Sequence, residues 1–308
     1  MKFSPDIMQD ASEIVHYDKP GVPLYIRKGR LSSYPGMRAL CHWHDDIEFI
    51  RVLEGEMNYY INGETIQISQ NDGLIVNSRQ MHYGYSVNSR ECTFICVLFH
   101  PSFLSASKLL YQTYVHPVIE SQSLSYFYLD SRIHSDLPFL DTITKLSSLK
   151  KEAAPCYELE AAALLYTLWT ELYRKKALNR LSVREPINQD IQIQKNMVSY
   201  IIQHYSEKLT LSDIASAGNV CRSKCCKIFR YYLRQTPNDF LNTYRLKVSA
   251  GLLTSTSLSV TEIALSCGFS HPSYYTELFN RTYALTPTAY RNRHQPLPSQ
   301  ATKKPSKD

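Results

Sequence analysis

An internal repeat with a period of about 50 residues occupies the C-terminal third of the chain. The first copy extends from Leu211 to Phe240 and the second from Val260 to Tyr290. The copies align at an Ile-Ala pair, at a Phe and at a Thr-Pro step. Asp239–Thr254, which joins them, has the amphipathic pattern of a longer helix. The repeat therefore predicts two similar helical units connected by one rigid helix.

Each copy has the pattern of a helix-turn-helix. The turn is predicted at Gly218-Asn219 in the first copy and at Cys267-Gly268 in the second, because Gly, and to a lesser degree Asn, tolerates a positive φ. A second helix then repeats apolar residues at i, i+3 and i+4, which buries one face. These residues are Cys225, Ile228 and Phe229 in the first copy and Tyr274, Tyr275, Leu278 and Phe279 in the second.

The region from Ile191 to Arg291 resembles the DNA-binding domain of AraC/XylS-type transcriptional regulators. The resemblance rests on both copies, on the Tyr244-Arg245-Leu246 step, and on Glu262–Arg291, which reads EIA…CGF…SYY…F…TP..YR. It implies a tandem helix-turn-helix that binds double-stranded DNA. It also implies a homodimer, RNA polymerase as a partner, and activation as the family's usual mode of regulation.

Three positions depart from the family pattern. Cys221 stands where a Ser usually opens the first recognition helix, so Ser223 or Asn219 is a candidate to cap that helix. Arg234 and Ala284 replace the Gly that precedes each Thr-Pro turn. If these two residues adopt the left-handed conformation, we expect each to cost about 1 kcal/mol.

The second helix of each copy is the expected recognition helix, because the N-terminal side chains of such a helix meet base edges in the major groove. Two helices about 34 Å apart would enter successive grooves. We expect basic residues near the start of the helix to donate hydrogen bonds to guanine, and those farther along to contact phosphates. Glu277 would accept from cytosine or remain solvated. The candidate DNA-contacting residues are Arg222, Ser223, Lys224, Lys227, Arg230, His271, Ser273, Tyr274, Thr276, Glu277 and Arg281.

Short alternating runs of Ile, Val, Tyr and Phe between residues 22 and 99 predict strands. Asn62-Gly63, between two of the runs, is a strong hairpin signal. Many short, evenly spaced strands indicate a sandwich or barrel. The predicted strands are VPLYIRKG, DIEFIRVLE, EMNYYING, ETIQIS, GLIVN and ECTFICVLF.

The segment Gly36–Gly55 reads G-x5-H-x-H-x3-E-x6-G and resembles the first cupin motif. GLIVNSRQMH, which ends at His82, resembles the second, although Asn77 and Arg79 replace its usual Pro and Gly. Metal-binding cupins hold one ion with two early His, a Glu and a late His. Alternate strand residues point the same way, so His42 and His44 can share a centre. Three His and one Glu suit Fe, Mn, Ni or Zn.

AraC-type regulators often carry such a segment without a metal, and we therefore expect a polar effector pocket and no cofactor. The mixture of charge, imidazole and phenol suits a polyhydroxylated or anionic small molecule such as a sugar. The alternative is a metal-dependent cupin enzyme fused to a DNA-binding domain, with His42, His44, Glu48 and His82 as ligands. The candidate effector residues are Arg38, His42, His44, Glu48, Tyr59 and His82.

The fold class expected from these patterns is α+β and multidomain: an N-terminal cupin-like β-barrel with a helical hairpin, then an all-α tandem helix-turn-helix. Residues 1–190 have a net charge of −3 and residues 191–308 of +9, which indicates a polyanionic partner for the second region. The predicted divisions are an effector-binding and dimerisation domain (1–178), a linker (179–190), a DNA-binding domain (191–293) and a disordered tail (294–308).

The residues from Pro101 to about Ala177 have a helical pattern, and Tyr157–Leu178 is its clearest helix. One side of that helix can cover the barrel, and the remainder is either buried in the same chain or paired with a second subunit. Cys221, Cys225 and Cys226 suggest a redox sensor, but Cys225 stands at a core position of the resemblance.

No apolar run approaches the roughly 18 residues of a membrane span, and the N-terminus lacks the apolar segment of a secretory signal. We therefore expect a cytoplasmic chain with reduced thiols and no membrane partner.

Overall fold

A computed structural model describes residue 13 and residues 15–86, 88–121, 124–152, 155–178 and 189–294. The chain divides into two compact units. The larger contains Asp6–His204 and Leu209–Leu241, and the smaller contains Tyr205–Lys208 and the residues from Asn242 onwards. No helix of the described ranges is long and apolar enough to cross a membrane.

In the described part of the larger unit, eight strands form two antiparallel sheets. The strand order is β1-β7-β2-β5-β8 in the five-stranded sheet and β4-β3-β6 in the three-stranded sheet. The six predicted strands are confirmed as β1 to β5 and β7, but β6 and β8 were not predicted. The bounds are β1 Leu24–Arg30, β2 Ile47–Glu54, β3 Met57–Ile61, β4 Glu64–Ile68, β5 Gly73–Val76, β6 His82–Tyr85, β7 Thr93–Phe99 and β8 Tyr126–Leu129.

The helices α1 and α2 lie between β7 and β8, and the other helices follow β8. The expectation of a helical region after Pro101 is wrong at β8, which pairs with β5, but Tyr157–Leu178 is confirmed as a helix. The bounds are α1 Lys108–Leu110, α2 His116–Ile119, α3 Leu137–Glu152, α4 Tyr157–Leu178, α5 Gln189–Gln203, α6 Leu211–Ala217, α7 Arg222–Ile228, α8 Pro237–Ser255, α9 Val260–Ser266, α10 Pro272–Tyr283 and α11 Pro287–His294.

Two parts of the predicted domain plan fall partly outside the described residues. Of the predicted linker, residues 179–188 lie outside, while Gln189 and Asp190 form the start of α5. Residues 295–308 of the predicted tail also lie outside, while His294 ends α11.

Among the described residues, two apolar clusters hold the sheets and the helices α3 and α4 of the larger unit together. One packs the five-stranded sheet against α3 and α4 and includes Phe99, Leu140 and Trp169. The other lies between the two sheets and includes Val52 and Ile61. Removal of this apolar surface from water is the main driving force for the arrangement.

The helix α4 uses one face for that packing, as predicted. Leu168, Trp169 and Leu172 are buried against the sheet, and the ring of Trp169 meets Phe99 edge-on at 6.2 Å. Leu159 is 73% exposed, because it lies on the opposite side of the helix from the buried Ala161, Leu165 and Leu168.

Both predicted helix-turn-helix copies are present, as α6–α7 and α9–α10. Each first helix begins with a capping box, from Thr210 in α6 and from Ser259 in α9. The predicted turns take a positive φ at Asn219 (52°) and Gly268 (82°). Cys221 precedes α7 and its side chain makes no capping bond, so the helix lacks the usual N-terminal acceptor from that position.

The two positions that lack the family's Gly are left-handed, as predicted. Arg234 has a φ of 53° and follows the π-helical turn Phe229–Leu233 that extends α7. Ala284 has a φ of 54° and ends α10. A side chain with a Cβ is strained in this conformation.

We expect Ala284→Gly to raise the free energy of unfolding by about 0.5–1 kcal/mol, because relief of the left-handed strain exceeds the added entropy of the unfolded chain. Chemical denaturation would measure the change. Ala289→Gly, the same substitution on an exposed position of α11, is the control and should destabilise by a similar amount. A destabilised Ala284→Gly chain would contradict the strain argument.

Candidate functional site

Three histidine rings meet between the two sheets of the larger unit. The segment before β2 runs beside β6, where the backbone N–H of His42 donates to His82 (3.2 Å) and that of His82 donates back (2.9 Å). His44 lies two residues farther on, on the same face. The ring centroids are 4.4 Å apart for His42–His82, 5.0 Å for His44–His82 and 5.5 Å for His42–His44.

Each ring is held by a backbone carbonyl through Nδ1. His42 Nδ1 lies 2.8 Å from the Leu40 oxygen, His44 Nδ1 lies 3.1 Å from that of Asp46, and His82 Nδ1 lies 2.7 Å from that of Gln80. A carbonyl accepts only, so each Nδ1 carries the proton. In a neutral ring this leaves Nε2 with a free lone pair.

Glu48, the second residue of β2, joins the cluster from the other sheet. Its Oε2 lies 2.9 Å from His82 Nε2 and accepts from the Tyr59 hydroxyl at 2.8 Å. Cys96 Sγ donates to the other oxygen at 3.3 Å. Tyr59 is on β3, so this contact spans the space between the sheets. The carboxylate is therefore fixed by three neighbours.

The cluster is almost completely buried: His44 is 2% exposed, His82 1% and Glu48 5%. Burial lowers the pKa of His44 to about 3, which makes its ring neutral. Burial alone would raise the pKa of Glu48, but the attraction of the nearby His82 ring holds that pKa well below its usual value.

Two ring nitrogens in the cluster lack a hydrogen bond within the described part of the chain. These are Nε2 of His44 and Nε2 of His82; the latter contacts Glu48 at short range without the geometry of a directed hydrogen bond. A buried polar atom without a partner costs about 1–3 kcal/mol. Such an atom therefore indicates that the site binds a ligand that supplies the missing partner.

The cluster fits a metal ion. One ring nitrogen from each of His42, His44 and His82 lies within 4.8 Å of the others. Imidazole with one carboxylate suits first-row transition metals. His42 and His44 therefore lie close together, as expected, and His82, Glu48 and Tyr59 lie with them, but their role in a shared centre stays a prediction.

Sequence reasoning missed two members of this group. Glu13 Oε2 lies 3.5 Å from His42 Nε2, and Cys96 contacts Glu48. Neither belongs to a motif. The only signal for Cys96 was its position in the last predicted strand of the barrel.

Arg38 is not part of the histidine cluster. Its guanidinium stacks on Tyr83 at 4.4 Å and donates to the carbonyl oxygen of Leu233 at 2.9 Å. Nearby, the Tyr60 hydroxyl donates to the carbonyl of Tyr231. Both carbonyls belong to the turn that extends α7. The assignment of Arg38 to an effector pocket stays a prediction.

The helix α7 presents its predicted DNA-contacting residues to solvent. Arg222 is its first residue, and Ser223, Lys224 and Lys227 follow on exposed positions. Lys224 Nζ forms an ion pair with Asp190 at 3.0 Å. Arg230, also exposed, lies in the π-helical turn that follows α7. Cys225 is buried and its pKa is raised to about 11 by burial, which opposes thiolate chemistry at this position.

The helix α10 of the smaller unit is similar. His271 precedes it, and Ser273, Glu277 and Arg281 are exposed. The Thr276 hydroxyl donates to the Pro272 carbonyl at 2.9 Å. The hydroxyl of Tyr274, which is 46% exposed, accepts from the amide of Asn242 at 3.3 Å. Their contacts with DNA stay predictions.

Comparison with known proteins agrees with this arrangement. A helix-turn-helix domain model matches residues 214–293, and a model of the AraC-like ligand binding domain matches residues 32–169. An uncharacterized HTH-type transcriptional regulator, YdeC, of Bacillus subtilis (strain 168) is 31% identical over 92% of this chain and 97% of its own length.

Two further relatives have related names. The probable transcriptional regulator LumQ of Photobacterium leiognathi is 24% identical over 81% of this chain and 91% of its own length. The HTH-type transcriptional activator RhaR of Mannheimia succiniciproducens is 26% identical over 82% of this chain and 87% of its own length. With matches to both domain models and to a full-length regulator at this identity, the chain belongs to the AraC family of transcriptional regulators.

Proposed function

We propose that this regulator binds a specific DNA sequence through α7 and α10, and that a small polar ligand inside its barrel controls that binding. The observation that carries the proposal is the exposed basic start of α7, where Arg222 stands on a helix-turn-helix whose opposite face is buried. Side chains at the start of such a helix reach base edges in the major groove.

The contacts of Arg38 and Tyr60 support control by the barrel, because both donate to carbonyls at the end of the α7 extension. Tyr60 and Tyr83 neighbour Tyr59 and His82 in the strands β3 and β6. Successive residues of a strand face opposite sides. A ligand held by the inner residues would therefore move the outer ones, and with them the first helix-turn-helix.

We infer activation as the mode of regulation, with RNA polymerase and a second copy of this chain as partners. Two relatives support activation, since they are named transcriptional activators, RhaR and RhaS. Relatives named as regulators also favour a barrel that binds its ligand without catalysis. The exposed Leu159 of α4 is a candidate contact of the dimer.

A salt titration of DNA binding tests the proposal. Duplexes would be selected by the purified chain from a random pool, and the affinity of the best would be compared with that of a shuffled duplex. We expect tighter binding to the selected duplex by at least about 10³-fold at physiological salt. The logarithm of the affinity should fall linearly with that of the salt concentration. Equal affinity for both duplexes, or no enrichment, would contradict a sequence-specific reader.

A further inference from the structure

We infer that the space between the two sheets binds a single divalent transition-metal ion through Nε2 of His42, His44 and His82 and the carboxylate of Glu48. This assigns a chemical class to the ligand of the barrel, and its role as the controlling ligand rests on the proposed function. Arg38, predicted for the same pocket, has no part in the ion site, because its guanidinium is engaged by Tyr83 and Leu233.

The orientation of the rings favours a metal. All three Nδ1 atoms lie 2.7–3.1 Å from backbone carbonyls. Metal-bound histidines almost always donate their second nitrogen to a carbonyl or carboxylate in this way, which fixes the tautomer and the ring plane. Three independent carbonyls thus direct three Nε2 lone pairs into one space.

The separations also suit an ion. Zinc–nitrogen bonds of about 2.0–2.1 Å in a tetrahedral site place ligand atoms about 3.4 Å apart. The ring nitrogens lie within 4.8 Å of one another, so the rings would have to move closer together around the ion. Nε2 of His44, which is buried and has no hydrogen bond among the described residues, would gain its partner.

The same separations disfavour a sugar between the rings. Centroids 4.4 Å to 5.5 Å apart leave the imidazoles nearly in contact, so a sugar ring would have to push the sheets apart. An ion requires only the space between the ring nitrogens, which lie within 4.8 Å of one another.

Tyr59 and Cys96 hold the carboxylate of Glu48 in position. The Tyr59 hydroxyl lies 2.8 Å from Oε2 and Cys96 Sγ lies 3.3 Å from Oε1. Each donates to the carboxylate. When an ion is bound, three imidazole rings that are protonated only on Nδ1 and one carboxylate would leave a divalent ion with a net charge of +1 in the site.

The test is a titration of the full-length chain, first stripped with a chelator, with Co²⁺, whose visible absorption reports coordination by nitrogen, and with Zn²⁺ in a calorimeter. We expect saturation at a single ion per chain. His44→Gln and Glu48→Gln, which nearly preserve volume, should weaken binding by more than about 10-fold. His134→Gln, at an exposed histidine of the larger unit, is the matched control and should bind as the native chain does.

The absence of saturable binding in the native chain would overturn the inference. Equal binding by native, His44→Gln and His134→Gln chains would overturn it too, since the ion would then lie elsewhere. Circular dichroism would show that the variants are folded. If His44→Gln does not fold, Glu48→Gln carries the test, because its amide oxygen can still accept from Tyr59. Because no DNA is present, a chain that binds the ion but not a selected duplex would count against the proposed function alone.

Discussion

Arg222→Ala is expected to weaken binding to the selected duplex by about 1–3 kcal/mol and to relax the preference at one base pair. Arg222 is the first residue of α7 and is exposed. At the start of a recognition helix, an arginine can donate two hydrogen bonds to the O6 and N7 atoms of a guanine, and each such pair contributes this amount of discrimination. Competition assays against duplexes with single base changes would measure both effects.

Arg230→Ala is the matched control, because it makes the same chemical change in the π-helical turn that extends α7. A phosphate contact there predicts weaker binding that is equal for all sequences, with a salt slope smaller by about one. An Arg222→Ala chain with unchanged affinity and unchanged base preference would show that another residue of α7 reads the base.

The ion pair of Lys224 with Asp190 makes Lys224 a weaker candidate for the same role. DNA would have to displace Asp190, which lies 3.0 Å from Lys224 Nζ. Exposed pairs of this kind contribute about 0–1 kcal/mol. The net effect of Lys224→Ala should therefore be smaller than that of Arg222→Ala.

Much of the helix-turn-helix region could be predicted from the sequence because its determinants are local. The apolar spacing, the turn at Asn219 and Gly268, and the left-handed Arg234 and Ala284 each depend on a few neighbouring residues. The strands β6 and β8 could not be predicted. Each has only four residues, and each is stabilised by pairing with a strand that is distant in sequence.

The structure brings the three predicted histidines together but places Arg38 apart from them, and the difference has one geometric reason. Arg38 and His42 are four residues apart, which would place them on one face of a regular strand. However, Arg38 pairs with Tyr85 and His42 pairs with His82. Four residue steps from Arg38 to His42 therefore lie opposite only three residue steps along β6. The extra residue acts as a bulge, and Arg38 consequently lies on the side of Tyr83.

Substitution of Arg38 and Tyr60 is expected to remove the effect of the barrel ligand on DNA affinity. Ligands that couple two sites typically change affinity by about 5–150-fold. In the native chain, we expect Zn²⁺ to change the affinity for the selected duplex by a factor in that range. In the double variant Arg38→Ala, Tyr60→Phe, the factor should approach one, whichever direction the native change takes.

The reason lies in the two strands that carry both sets of residues. On β3, Tyr59 donates to Glu48 while Tyr60 donates to the carbonyl of Tyr231. On β6, His82 joins the histidines while Tyr83 stacks on Arg38. Removal of the Arg38 and Tyr60 donors frees the carbonyls of the α7 extension from the barrel, so a shift of these strands no longer reaches the helix.

The measurement is a pair of DNA titrations, with and without Zn²⁺, for each chain. Arg27→Ala is the control, because the guanidinium of Arg27 stacks on Tyr34 at 5.9 Å within the barrel, and it should keep the native factor. The double variant should still bind Zn²⁺ as the native chain does, since the four ligands are unchanged. If the factor stays at its native value in the double variant, the coupling must pass through other contacts; if the native factor is one, the ion does not control DNA binding.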